Sequence, residues 1–192
     1  MPLSRFLYLP GDRLSATELS AARLDGDVIE VGDGYMPADA VETAALRAGS
    51  LGGILTDLFA ATHLSATWIH GAIAEPPARH TVQRAVTRRV TAVHDRRVVV
   101  RDMALDHGDV EHIGGVWVTT PVRTLSDLCR VADEDHTRAA AELSGLRPGL
   151  AEAAHRQLSS RGRVPHKRRA LDLLAELAAR PADQEDVTRY TS

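Results

Sequence analysis

The chain has 192 residues, 44% hydrophobic and 26% charged, with a net charge of −3. That is enough apolar material for one ordinary core, or a compact domain carrying a small satellite, and it excludes a disordered chain. The single cysteine, Cys129, excludes an intramolecular disulfide and a cysteine-based metal knuckle. No eighteen consecutive apolar residues occur, and Pro10 interrupts the N-terminal apolar run before it reaches signal-peptide length. The expected address is the cytoplasm, with no membrane partner.

Charge is unevenly distributed. Residues 1–60 carry four arginines against nine acids, a net of −5, whereas residues 79–101 carry seven arginines against Asp95 alone, a net of +6. A second basic cluster, Arg161, Arg163, His166, Lys167, Arg168 and Arg169, includes the chain's only lysine.

In chain order, Ser15 and Glu18 form a capping-box pair that predicts a helix over 16–24. Residues 27–31, a Gly32-Asp33-Gly34 turn and residues 35–37 read as a short hairpin, giving a helix followed by a wing. Residues 39–74 are rich in Ala and Leu at helical spacing, broken at Gly49 and Gly52-Gly53. Two or three helices are expected there, the last bearing Leu64, Trp68, Ile69 and Ala72. β-Branched runs at 81–86, 90–93 and 97–101 predict strands. A second hairpin is expected from residues 109–113, Gly114-Gly115 and 116–119. Thr120 then caps a helix whose first position is Pro121. In that helix Val122, Leu125, Leu128, Cys129 and Ala132 make an apolar stripe, while Arg123, Asp127 and Arg130 lie on another face, with Arg123 and Asp127 expected to form a structural ion pair. Helices at 134–143, 148–158 and 165–180 complete the chain; in the last, Leu171, Leu174, Ala175 and Ala178 form the expected inner side.

The chemistry-bearing patterns are few. There is no phosphate-binding glycine fingerprint and no nucleophile elbow, and Cys129 beside an apolar stripe reads as a buried structural thiol. His107 and His112 are the tightest histidine grouping but lack a third ligand at diagnostic spacing, and His63 and His70 read as packed or solvated. A metal-dependent nuclease needs paired carboxylates beside an activating Lys or Glu, and the sole lysine has no strand-borne acidic pair near it. No catalytic residue, metal or other cofactor is expected. The 79–101 stretch offers guanidinium groups on one face of a hairpin, suited to phosphate contacts; the competing reading is the solvated outer face of a sheet. Aromatic interleaving for base stacking is absent, which disfavours single-stranded nucleic acid.

Val116-Trp117-Val118-Thr119-Thr120-Pro121-Val122-Arg123-Thr124-Leu125-Ser126-Asp127-Leu128 resembles the V-T-T-P-x-R-T-L-x-D-L signature of actinobacterial proteins similar to AbiEi, the antitoxins of type IV toxin–antitoxin systems. Leu64 to Gly71 is similar to that family's S-x-A-A-x-x-H-G helix end, and Val28 to Pro37 resembles its wing. The resemblance implies an α+β fold: a shortened winged-helix-like module at 1–38, an AbiEi-like domain of helices and antiparallel sheet with C-terminal helices at 39–180, and a tail at 181–192. It further implies a non-catalytic antitoxin or transcriptional regulator that binds operator DNA, a nucleotidyltransferase-like toxin, or both. The alternative is a degenerate member serving only as a protein-interaction module. Asp25, Asp27, Glu30 and Asp33 crowd the module where phosphates would approach, so the expected DNA-binding residues are Arg84, Arg88, Arg89, Arg96, Arg97, Lys167 and Arg168.

Overall fold

The computed structural model describes residues 5–86 and 95–180, the side chains of 102–104 excepted. The expected strand at 90–93, the expected contacts of Arg88 and Arg89, and the tail at 181–192 lie outside the described residues.

Helix α1 (Ala16–Asp25) starts at the expected capping box, with the Ser15 hydroxyl accepting from Glu18 N–H and the Glu18 carboxylate accepting from Ser15 N–H. Gly26, in the left-handed region at φ 82°, ends it. Strands β1 (Val28–Val31) and β2 (Gly34–Pro37) pair antiparallel as a separate two-stranded sheet. Tyr8 and Tyr35 exchange backbone hydrogen bonds at 2.8 and 2.9 Å, tying the N-terminal segment to β2.

Residues 39–74 hold two helices, α2 (Ala44–Ser50) and α3 (His63–Ile69), and between them a short strand that the helical spacing concealed, β3 (Phe59–Ala61). The sheet continues with β4 (His80–Arg84), β5 (Val98–Ala104), β6 (Val110–Ile113) and β7 (Val116–Thr119), in the spatial order β5-β4-β3-β7-β6. The α+β class stands, but this sheet is mixed, not antiparallel throughout: β3 pairs parallel with β7 and β4 parallel with β5. The β4–β5 pair is therefore not a hairpin, because parallel neighbours need a crossover connection. The β6–β7 hairpin forms about the expected Gly114-Gly115 turn, with Val110 opposite Thr119 and Ile113 opposite Val116.

Helices α4 (Pro121–Val131), α5 (Glu134–Leu146), α6 (Leu150–Ser160) and α7 (Lys167–Ala179) follow. Thr120 accepts from Arg123 N–H and Pro121 occupies the first turn, as expected. In α7 the buried side is Ala170, Leu174 and Leu177, spaced i, i+4, i+7, with Leu171 and Ala178 half-buried against the same cluster; Ala175, of the expected side, is exposed.

Two apolar clusters result. One joins Leu7, Val31 and Met36 of the N-terminal segment to Leu46, Phe59, Trp68, Val82 and Val118 under one sheet face. The other gathers Leu125, Leu128, Cys129, Leu143, Leu158 and Leu174 among α4 to α7.

The Gly114-Gly115 turn meets α2. Both residues have positive φ, 57° and 91°, as a two-residue hairpin of this type requires. A Cβ on Gly114 would overlap the Ala45 carbonyl, whereas one on Gly115 would meet open space. Gly115→Ala should therefore cost about 1 kcal/mol of backbone strain, and Gly114→Ala about 2–4 kcal/mol because it must also push α2 away, as read by urea unfolding.

Candidate nucleic-acid interface and the buried ion network

The five described basic positions divide by their environment. Arg84 and Arg97 stand at opposite ends of the parallel pair, since Arg84 lies opposite Ala104 and His80 opposite Val98. Arg84 is half-buried and Arg96 exposed, the Arg96 carbonyl accepting from Arg79 Nε at 3.1 Å. Arg97, 52% exposed, donates from Nε and Nη2 to Asp95 at 3.2 and 2.9 Å and from Nη1 to Asp33 of the β1–β2 turn at 2.6 Å. Its pKa is raised by the hydrogen bonds to Asp95 and the charge of Asp33. Arg97, through its guanidinium and through its backbone N–H, holds the Asp95 carboxyl below its usual range. Lys167 Nζ is turned onto the end of α6, donating to the carbonyls of Ser159 at 2.9 Å, Arg161 and Gly162. Arg168 is exposed. The structure thus places Arg96 and Arg97 together, sets Arg84 at the far end of β4, and gives Lys167 a capping task.

The sequence motif itself builds a different constellation, buried beneath the end of the sheet. Arg123 of α4 is 4% exposed; Asp127 on the same helix and Asp109, from a 3-10 turn (His107–Asp109) before β6, are each 1% exposed. Arg123 Nε donates to Asp127 at 2.8 Å and Nη1 to Asp109. Arg130 Nη1 reaches the second Asp127 oxygen at 3.0 Å, and Arg161, from the α6–α7 connection, reaches the second Asp109 oxygen. Burial pushes the Asp109 carboxyl up, but Arg161 and Arg123 outweigh it and hold its pKa below the usual range. Burial likewise opposes the Arg123 charge, which Asp127 and Asp109 restore and raise. The Arg123–Asp127 pair is the one expected from their i, i+4 spacing. Asp109 and Arg161 escaped sequence reasoning; the available signal was the hairpin register, which runs on from Val110–Thr119 to the Thr120 N–H donating to the Asp109 carbonyl.

His63, His70 and the thiol are withdrawn from solvent, whereas His107 and His112 are exposed. His63 and His70 are buried, and that burial lowers each pKa to about 4. His63 Nδ1 lies 3.0 Å from the Thr62 hydroxyl, and His70 Nε2 donates to the Thr119 carbonyl at 2.7 Å. His112 packs edge-on against Trp117 with ring centroids 4.9 Å apart. Burial pushes the Cys129 thiol up to about 12, which disfavours a thiolate nucleophile. Among the described residues, no three His, Cys, Asp or Glu side chains are grouped to hold a metal, and no helix is long and apolar enough to cross a membrane.

The model of the AbiEi antitoxin C-terminal domain matches residues 59–177, the span from β3 into α7 that contains the ion network. The crystal structure of the RV2827C protein from Mycobacterium tuberculosis is 16% identical; the likeness covers 86% of this chain and 70% of that one, with a TM-score of 0.35. No curated protein matches the chain.

Arg123→Ala would leave each of two buried carboxylates with one arginine in place of two and should cost about 3–5 kcal/mol in urea unfolding, whereas Arg138→Ala, which removes an exposed partner of Asp135, should cost under about 1 kcal/mol. A second expectation concerns pH. The folded pKa values of His63 and His70 lie below the unfolded value, so the unfolded chain takes up protons first as pH falls from about 6.5 to about 4. Stability should fall across that window by roughly 3 kcal/mol per histidine, Asp109 adding its own loss only at lower pH. Urea midpoints at pH 7 and 4.5 should differ less in His63→Asn/His70→Gln; an unchanged difference would assign the loss to other groups.

Proposed function

Because the chain belongs to the AbiEi antitoxin family, carrying that family's C-terminal domain over residues 59–177, we propose that it is a non-catalytic antitoxin or transcriptional regulator of the cytoplasm that works by binding duplex DNA. The family match is the observation that carries this reading. The exposed guanidinium groups of Arg96, Arg97 and Arg168 support it, since charge-assisted contacts to phosphates need cationic heads at the surface. Burial of the Cys129 thiol and of His63 and His70 supports the non-catalytic part, for these groups have no access to a substrate. Residues 1–38, a helix and hairpin, are assigned as a shortened winged-helix-like module, 39–180 as the effector domain and 181–192 as a tail. A nucleotidyltransferase-like toxin is the partner or target that membership suggests.

One observation favours the second reading, a protein-interaction module without DNA binding: the acidic hairpin already occupies Arg97 through Asp33. Electrophoretic shift on duplex from the upstream region of its own gene separates the two. The DNA reading expects a salt-sensitive shift that Arg88→Glu/Arg89→Glu/Arg168→Glu weakens, with the slope of log affinity against log salt falling by about 2.7 for three lost phosphate contacts. Lys167→Met should leave that slope unchanged. Absence of any shift at low salt, with a basic protein co-purifying instead, would establish the interaction-module reading.

A further inference from the structure

The β1–β2 turn holds a carboxylate against one of the exposed arginines on which DNA binding is proposed to depend. We propose that Asp33 is a built-in anion that masks Arg97 from phosphate, so that the acidic N-terminal hairpin sets the DNA affinity of the basic surface. This rests on the DNA-binding reading above and adds its regulation.

The turn is held rigidly. Val31 pairs with Gly34, so Gly32 and Asp33 are the two turn residues. Gly32 has φ 55° and lies so close to Ser50 and Trp68 that a Cβ would not fit, which fixes the loop against α2 and α3. From that fixed backbone the Asp33 carboxylate reaches Arg97 Nη1 at 2.6 Å, across 64 residues of sequence.

The two carboxylates on Arg97 do different work. Asp95 accepts from Arg97 Nε and Nη2 and also from the Arg97 backbone N–H at 2.8 Å, a local arrangement that shapes the chain entering β5 and orients the guanidinium. Asp33 takes the remaining nitrogen, Nη1. A turn of this kind is served equally by Asn or Gly, so the negative charge at position 33 is not required by the hairpin. It occupies one of the N–H groups that an incoming phosphate oxygen would use, and its negative charge repels that phosphate. Arg97 is exposed and Asp33 half-buried, so solvent and salt reach the pair and a polyanion can exchange against it.

The test is duplex DNA affinity of the full chain at low salt for wild type, Asp33→Asn, Arg97→Gln and the double variant, with Asp33→Ser as a second removal of the charge and circular dichroism reporting the fold. Asp33→Asn and Asp33→Ser should bind about two- to fivefold tighter, the size of one released exposed ion pair. The salt slope should steepen by about 0.9, one additional phosphate contact, and Arg97→Gln should erase both gains. If wild type binds DNA and the Asp33 variants bind no better, or bind less well because the pair is only a strut, masking is overturned while the DNA reading survives. If no form binds duplex DNA, both fall together.

Discussion

The buried Arg123 guanidinium is the interaction from which the remaining geometry follows. Two carboxylates, Asp109 and Asp127, sit in an environment that would strongly disfavour their charge, and Arg123 touches both. Each carboxylate then uses its second oxygen to recruit another arginine, Arg161 for Asp109 and Arg130 for Asp127. Those arginines come from the α6–α7 connection and α4, while Asp109 precedes β6. The ion cluster therefore ties the edge of the sheet to the helical layer. A well-packed apolar set of the same volume could serve stability as well or better. What the charges impose is alignment, since each oxygen and nitrogen must find its one partner.

Features with a local cause are legible in the sequence, and those with a distant cause are not. The capping box at Ser15, the β6–β7 hairpin and the Thr120-Pro121 start of α4 are each determined by a few adjacent residues, and each has the expected bounds to within a residue or two. β3 was invisible because Phe-Ala-Ala has no strand pattern of its own; it is a strand because β4 and β7 flank it. The parallel β4–β5 pairing was equally hidden, since alternation within each run says nothing of direction. At the site, the Arg123–Asp127 pair was legible from helical spacing, whereas Arg161 arrives from 52 residues beyond Asp109.

Charge counting also overstated the field available to a polyanion. Arg47 donates to the Trp68 and Ile73 carbonyls at the end of α3, Arg169 to the Ala132 carbonyl, Arg130 to the Pro165 carbonyl and Lys167 to the end of α6. These cations complement helix ends and connections, where exposed carbonyls need donors. A one-letter sequence does not distinguish an arginine spent on a carbonyl from one presented to solvent, and in an Arg-rich chain the difference decides where binding can occur.

Helix α1 buries one side chain, Leu19, is capped at both ends and forms an exposed Arg23–Glu30 ion pair with β1 at 3.1 Å. A ten-residue helix with a single buried anchor is a weakly cooperative unit, able to fray while the sheet and the helical layer stay intact. Its amides will exchange with solvent through local opening at a small fraction of the global unfolding free energy. Any partner that grips α1 must supply the ordering free energy itself, so its affinity will report on the helix–coil balance of this segment as much as on the contacts made.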